Sequence, residues 1–187
     1  ALLDITPVFF DIEFDTSSGH FKPISSEWFN KVFQNLDLKN NKIVGVIFVS
    51  PYYQGYSTDL DPLIEICHQN NLPVLVDEAH GSYFLFCEHL NLPKAALKSN
   101  ADLIVNSLHK SLNGLTQTAL LWHNSNLVEE NKLYNCVNLL QTTSPNSLLI
   151  SSCEEALNDW LVLKSASKYQ KRILEARAIH KKLVKRN

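Results

Sequence analysis

Short apolar runs alternating with helical and polar segments constrain this chain more than any other feature. Residues Lys42 to Val49, KIVGVIFV, form a near-continuous, β-branched run closed by Ser50-Pro51, the pattern of a strand buried on both faces. Asp59 to Asn70 then places Leu60, Leu63, Ile64 and Cys67 at helical spacing, and Asn70-Asn71 followed by Leu72-Pro73 ends that helix. A second apolar run, PVLVD, closes in acids at Asp77-Glu78 and completes a β-α-β unit. A short helical stretch around Lys94 to Ser99 leads into Ala101 to Val105, ADLIV, another strand-like run. The polar, turn-prone segment Asn106 to Gln117 follows, and TALLWH resumes a strand. Such alternation predicts an α/β fold with a mostly parallel sheet and helices on both faces. Ligands in sheets of this kind gather at the carboxyl ends of the strands. Both chemical-looking stretches, Asp77-Glu78-Ala79-His80 and NSLHKS from Asn106, sit at such ends.

Charge narrows the partners. Seventeen Lys and Arg against nineteen Asp and Glu give a formal net charge of -2, which argues against a nucleic-acid or anionic-membrane partner. No apolar run approaches the roughly 20 residues needed to span a bilayer, and ALLDITPVFFDIEFD carries acids where a signal peptide carries Lys or Arg. A cytoplasmic location is the expectation. The four cysteines, Cys67, Cys87, Cys136 and Cys153, show no CxxC spacing and read as buried free thiols. Cys87 and His89 flank Glu88 but lack a third ligand, so no metal is expected. The chain has no methionine, even at position 1, which is expected of a processed chain or a piece of a longer one.

The letters Asp77-Glu78-Ala79-His80 raise the question of a nucleic-acid-dependent ATPase. That chemistry needs a GxxxxGK[ST] loop to cradle the phosphates, and none of Gly19, Gly45, Gly55, Gly81 and Gly114 precedes a lysine. A different chemistry uses an acid at one strand end and a lysine at the next. Pyridoxal phosphate bonds to a lysine amine, and its ring takes up electrons when the pyridine nitrogen stays protonated, a state that a neighbouring carboxylate favours. A small residue leaves room for the ring, and hydroxyl and imidazole groups hold the phosphate. Asp77, Ala79, Ser107, His109 and Lys110 meet that list.

At these residues the chain resembles a known family. NSLHKSLNGLTQTA, Asn106 to Ala119, is similar to the cofactor-attachment signature of the bacterial-type ornithine/lysine/arginine decarboxylases, Ser-x-His-Lys followed by small residues and Thr-Gln. LVDEAHG, SPYYQG at Ser50 to Gly55, and QTTSPNSLL at Gln141 to Leu149 resemble the same family, in the same order. The resemblance implies part of the large domain of an aspartate-aminotransferase-like pyridoxal-phosphate enzyme acting on lysine, arginine or ornithine. Lys110 would form the Schiff base with the cofactor, Asp77 would pair with the pyridine nitrogen, and Ala79 would lie against the ring. His80 would sit near the phenolic oxygen, and Ser107 and His109 would hold the phosphate. Either Lys110 or His109 would return the proton to the substrate carbon. Thr142, Thr143 and Ser144 would reach the site of a second subunit in a homodimer.

By the same resemblance, residues 1–145 form the central and later part of the cofactor domain, and 146–187 a helical connector towards a C-terminal domain. In that connector Tyr169, Ile173, Ala176, Ile179 and Leu183 trace one helical face. An upstream phosphate-cradling loop and a ring stacking on the cofactor are features of the family that this chain does not contain. An aminotransferase or related lyase would share Asp77 and Lys110, though the Ser-Leu-His-Lys context favours the decarboxylases. A non-catalytic scaffold would not need Lys110. Glu78 reads as a structural acid, and His20, His68, His89, His123 and His180 have no supporting pattern.

Overall fold

A computed structural model describes residues 5–17, 19–36, 42–86, 90–161 and 164–184. A small antiparallel hairpin of β1 (Phe14–Asp15) and β2 (His20–Phe21) comes first, turning at Gly19 with φ 70. Helix α1 (Ser26–Gln34) is started by Ser25, whose hydroxyl accepts the Trp28 N–H at 3.1 Å. The β-α-β unit follows as β3 (Val46–Val49), α2 (Asp61–Gln69) and β4 (Val74–Asp77). Asn71 adopts φ 55 just past α2, the left-handed geometry that asparagine tolerates at a helix end. Then come β5 (Leu103–Ser107), the short α3 (Leu108–Ser111), β6 (Ala119–His123), α4 (Glu130–Leu140), α5 (Ser147–Leu161) and α6 (Lys164–Val184).

The sheet order is β3-β4-β5-β6, with two parallel pairings and a final antiparallel one. This is the mostly parallel α/β architecture that the apolar runs imply. Phe48, Val74, Val76 and Ile104 face α1 and α2, packing with Phe29, Phe33, Leu63, Ile64 and Cys67 in the main core. Cys67 has no access to solvent, and burial pushes its thiol up to about 12. A second cluster sets α5 against α3: Ala156 and Trp160 pack on Leu108 and Leu112, and Tyr169 of α6 lies 4.4 Å from the Trp160 ring. This cluster seats the turn that follows Lys110.

Several expectations need correction. Strand β3 is four residues long and is not buried on both faces: Ile47 is 70% exposed and Val49 44%. Register places them on one face with Leu75, Asp77, Leu103, Val105 and Leu121, and the described helices pack against the other. Lys94 to Ser99 forms turns rather than a helix. The short span between Pro93 and Asn100 at φ 62 leaves no room for regular helix, and the Ala96 N–H is committed to a side chain elsewhere. Cys136 is exposed and Cys153 half-buried, because α4 buries no residue and only one side of α5 meets the core. In α6 the apolar stripe is covered only at Tyr169 and Ile173, whereas Ile179 and Leu183 are each 59% exposed.

Cys87, Glu88 and His89 lie outside the described residues. Among the described residues no group of three or more metal-ligating side chains occurs, and no helix is long and apolar enough to cross a membrane. His68, without a pattern in the sequence, is half-buried beside Asp102. That carboxylate takes His68 Nε2 at 2.8 Å, the Val74 N–H at 2.7 Å and the Ser125 hydroxyl, joining α2 to the starts of β4 and β5.

Candidate functional site

Asp77 is the last residue of β4 and pairs in register with Val105 of β5. Its carbonyl accepts the Ser50 N–H at 3.0 Å, and its Oδ1 accepts the Ala79 N–H at 3.0 Å. The second bond is an Asx turn, which fixes the carboxylate and leaves Oδ2 without a hydrogen-bond partner among the described residues. Ala79 is buried at 7% exposure. His80 is half-buried, with its ring edge-on to Tyr53 at 5.5 Å and an interplanar angle of 85°.

Two positions beyond Val105, at the neighbouring strand end, Ser107 opens α3. It makes no side-chain capping bond to that helix, so its hydroxyl is not used in starting it. Ser82 Oγ donates to the Ser107 carbonyl at 3.1 Å and ties the loop after β4 to the end of β5. His109 Nδ1 lies 2.9 Å from the Thr118 carbonyl. A carbonyl only accepts, so Nδ1 carries the hydrogen and Nε2 of the neutral ring is an acceptor. A contact from Nε2 to an anion therefore requires the imidazolium. Lys110 is exposed and has no ion-pair partner among the described residues.

The turn from Leu112 to Gln117 is held by α5: the Leu115 N–H donates to Ser152 Oγ at 2.7 Å, and Asn113 reaches Asp159 at 3.4 Å. The structure thus brings Asp77, Ala79 and His80 to one strand end and Ser107, His109 and Lys110 to the next. Thr142, Thr143 and Ser144 lie instead on the exposed connection between α4 and α5, where Thr142 Oγ1 accepts the Ser144 N–H at 3.1 Å.

Glu78 is 3% exposed, and burial pushes its carboxyl up to about 7 against two hydrogen bonds that pull the other way. Oε1 accepts the Ala96 N–H at 2.8 Å, and Oε2 accepts Asn106 Nδ2 at 3.1 Å. Sequence reasoning assigned Glu78 a structural part without these partners, and it missed Asn106, Trp122 and Tyr53 altogether. Tyr53 and Asn106 had a signal, since they lie inside the SPYYQG and NSLHKS stretches; Trp122 had none, because only the folded sheet brings it to Asn106.

The structure is similar in fold to the SepCysS-SepCysE N-terminal domain complex, with a TM-score of 0.64 at 18% identity over 93% of this chain and 46% of that one. It is likewise similar to a structure of SPT with PLP, with a TM-score of 0.61 at 19% identity over 83% of this chain and 38% of that one. In sequence it is 35% identical over 152 residues to an arginine decarboxylase of Halalkalibacterium halodurans, covering 81% of this chain and 30% of that protein. The chain therefore spans about a third of that relative's length. The family model for the Orn/Lys/Arg decarboxylase major domain matches residues 1–187, and the chain belongs to that family.

Proposed function

We propose that the protein to which this chain belongs is a pyridoxal-phosphate-dependent decarboxylase of a basic amino acid, releasing carbon dioxide and leaving a diamine or agmatine. The observation that carries this reading is the pairing of two neighbouring strand ends. One presents a carboxylate fixed through Oδ1 at Asp77, and the other carries Lys110, without an ion-pair partner among the described residues, in the same short helix as His109 and three residues after Ser107. This donor set fits the cofactor's groups: a carboxylate for a ring N–H, an amine for its carbonyl carbon, and hydroxyl and imidazolium donors for its phosphate. Arginine is the first substrate to test, because the H. halodurans relative is named an arginine decarboxylase.

When bound, pyridoxal phosphate supplies a carbonyl carbon that captures amines and a ring that takes up the electron pair left by departing carbon dioxide. Lys110 Nζ would hold the cofactor at its carbonyl carbon. Asp77 would keep a proton at the ring nitrogen, with the Asx turn preventing its carboxylate from swinging away. Ser107 and His109 would hold the phosphate, Ala79 would keep the space beside the ring narrow, and His80, backed by Tyr53, would serve the phenolic oxygen. The proton that replaces carbon dioxide would come from Lys110 Nζ or His109. His109→Gln separates the two, since it slows turnover modestly if His109 only holds phosphate and abolishes it if His109 is the donor.

The proposal extends to a homodimer in the cytoplasm, with Thr142, Thr143 and Ser144 reaching the partner's site and residues 146–187 connecting to a further domain. The test is to offer arginine, lysine and ornithine to the full-length protein with pyridoxal phosphate, scoring carbon dioxide separately from keto acid. Carbon dioxide from one of the three is the expected result, and keto acid without carbon dioxide overturns the reading.

A further inference from the structure

Glu78 stands between the two strand ends of the site and is tied to both. Its N–H donates to the Val105 carbonyl at 2.9 Å, and its own carbonyl accepts Asn106 Nδ2 at 3.1 Å. Its side chain takes the Ala96 N–H on Oε1 and Asn106 Nδ2 on Oε2. Asn106 Oδ1 in turn accepts Trp122 Nε1 of β6 at 2.7 Å. All four residues are buried or half-buried.

The direction of every bond in this chain is forced. An indole nitrogen only donates, so Asn106 must turn its oxygen to Trp122 and its amide nitrogen to Glu78. A backbone N–H also only donates, so both oxygens of Glu78 must accept. No neutral amide satisfies that position: a glutamine turns one N–H pair against either Ala96 or Asn106, and a buried donor facing a donor is costly. Packing holds the carboxyl in place as well, since a Cβ at Gly81 would fall 2.8 Å from both Glu78 Cγ and Pro51 Cδ.

We propose that Glu78 is a positioning residue. Through Asn106 it fixes the end of β4, which carries Asp77, against the end of β5, which carries Ser107 and leads into α3 with Lys110, and so sets how well the site accepts its cofactor. This rests on the pyridoxal-phosphate reading of the same site. Asp77 directly precedes Glu78, and Ser107 directly follows Asn106, so slack in this link passes to both halves of the site.

The full-length protein tests it with Glu78→Gln and the double variant Glu78→Gln/Asn106→Asp. The double variant restores a donor–acceptor pair between the side chains: the carboxylate introduced on β5 accepts from Trp122 and from the side-chain amide introduced after β4, whose oxygen still accepts from Ala96. It loses the bond from Asn106 Nδ2 to the Glu78 carbonyl, so it restores the link only in part. Cofactor affinity is read by absorbance titration of the apoprotein, and the link itself by amide hydrogen exchange at Ala96, which needs no cofactor. Glu78→Gln should weaken cofactor binding by about tenfold and speed Ala96 exchange by a similar factor, with the double variant recovering part of both losses. Two results overturn the proposal: Glu78→Gln binding cofactor like the parent, whether or not Ala96 exchange changes, or affinity that falls while Ala96 exchange stays at the parent's rate. If the parent protein fails to load pyridoxal phosphate, the functional reading falls, and the Ala96 exchange pattern alone then decides whether the link exists.

Discussion

In the proposed site Asp77 has two separable tasks, and its oxygens divide them. Oδ1 accepts the Ala79 N–H, whereas Oδ2 has no hydrogen-bond partner among the described residues. Asp77→Asn keeps a carbonyl oxygen for the Asx turn and removes the charge that would hold a ring proton. Decarboxylation should therefore fall on the order of a hundredfold or more, with stability within about 0.5 kcal/mol of the parent. Equal losses of activity and melting temperature would contradict this division. Glu78 behaves differently, because it is buried and its carboxyl is raised to about 7 from 4.5. The folded state then holds a proton that the unfolded state has released, so stability falls as pH rises from about 4.5 to about 7 and levels off above. The raised value corresponds to roughly 3 kcal/mol across that window. Glu78→Gln should flatten this part of the stability profile, measured by denaturant unfolding across it, and an unchanged slope would assign the effect to another group.

At the scale of elements, the two faces of the sheet are unequal. Ile104 has no access to solvent and lies under α1 and α2, so Ile104→Ala should cost about 2–5 kcal/mol. Ile47 is 70% exposed on the opposite face. Parallel sheets are stable with both faces covered, so the 187-residue chain alone should bind a hydrophobic dye, and Ile47→Lys should reduce the emission without lowering the melting temperature. Dye emission unchanged by Ile47→Lys would mean that this face is already covered.

The same elements mark what was legible in the sequence. The β-α-β unit and the strands of β5 and β6 could be read because dense apolar runs and an asparagine helix end are local signals. Burial of β3 could not, because KIVGVIFV reads alike whether or not a layer lies over Ile47 and Val49. Lys94 to Ser99 has helical composition, but its Ala96 N–H goes to Glu78, a competition that appears only in the fold.

For the whole molecule, the site is made of single residues from separate parts of the chain, and the topology of the sheet brings them together. Asp77, Ser107 and Lys110 could be proposed from the sequence because the chemistry of a cofactor limits the residue types at strand ends. The Glu78, Asn106 and Trp122 chain was not, since its members are ordinary polar and aromatic residues until β4, β5 and β6 align. The chain covers 30% of the length of its H. halodurans relative, so the site is judged in the full-length protein. The most direct measurement is borohydride reduction of that protein with pyridoxal phosphate, followed by peptide mass mapping of the modified lysine. A single label on Lys110, lost in Lys110→Ala and weakened in Asp77→Asn, is the expected result; a label on another lysine, or none, contradicts the account.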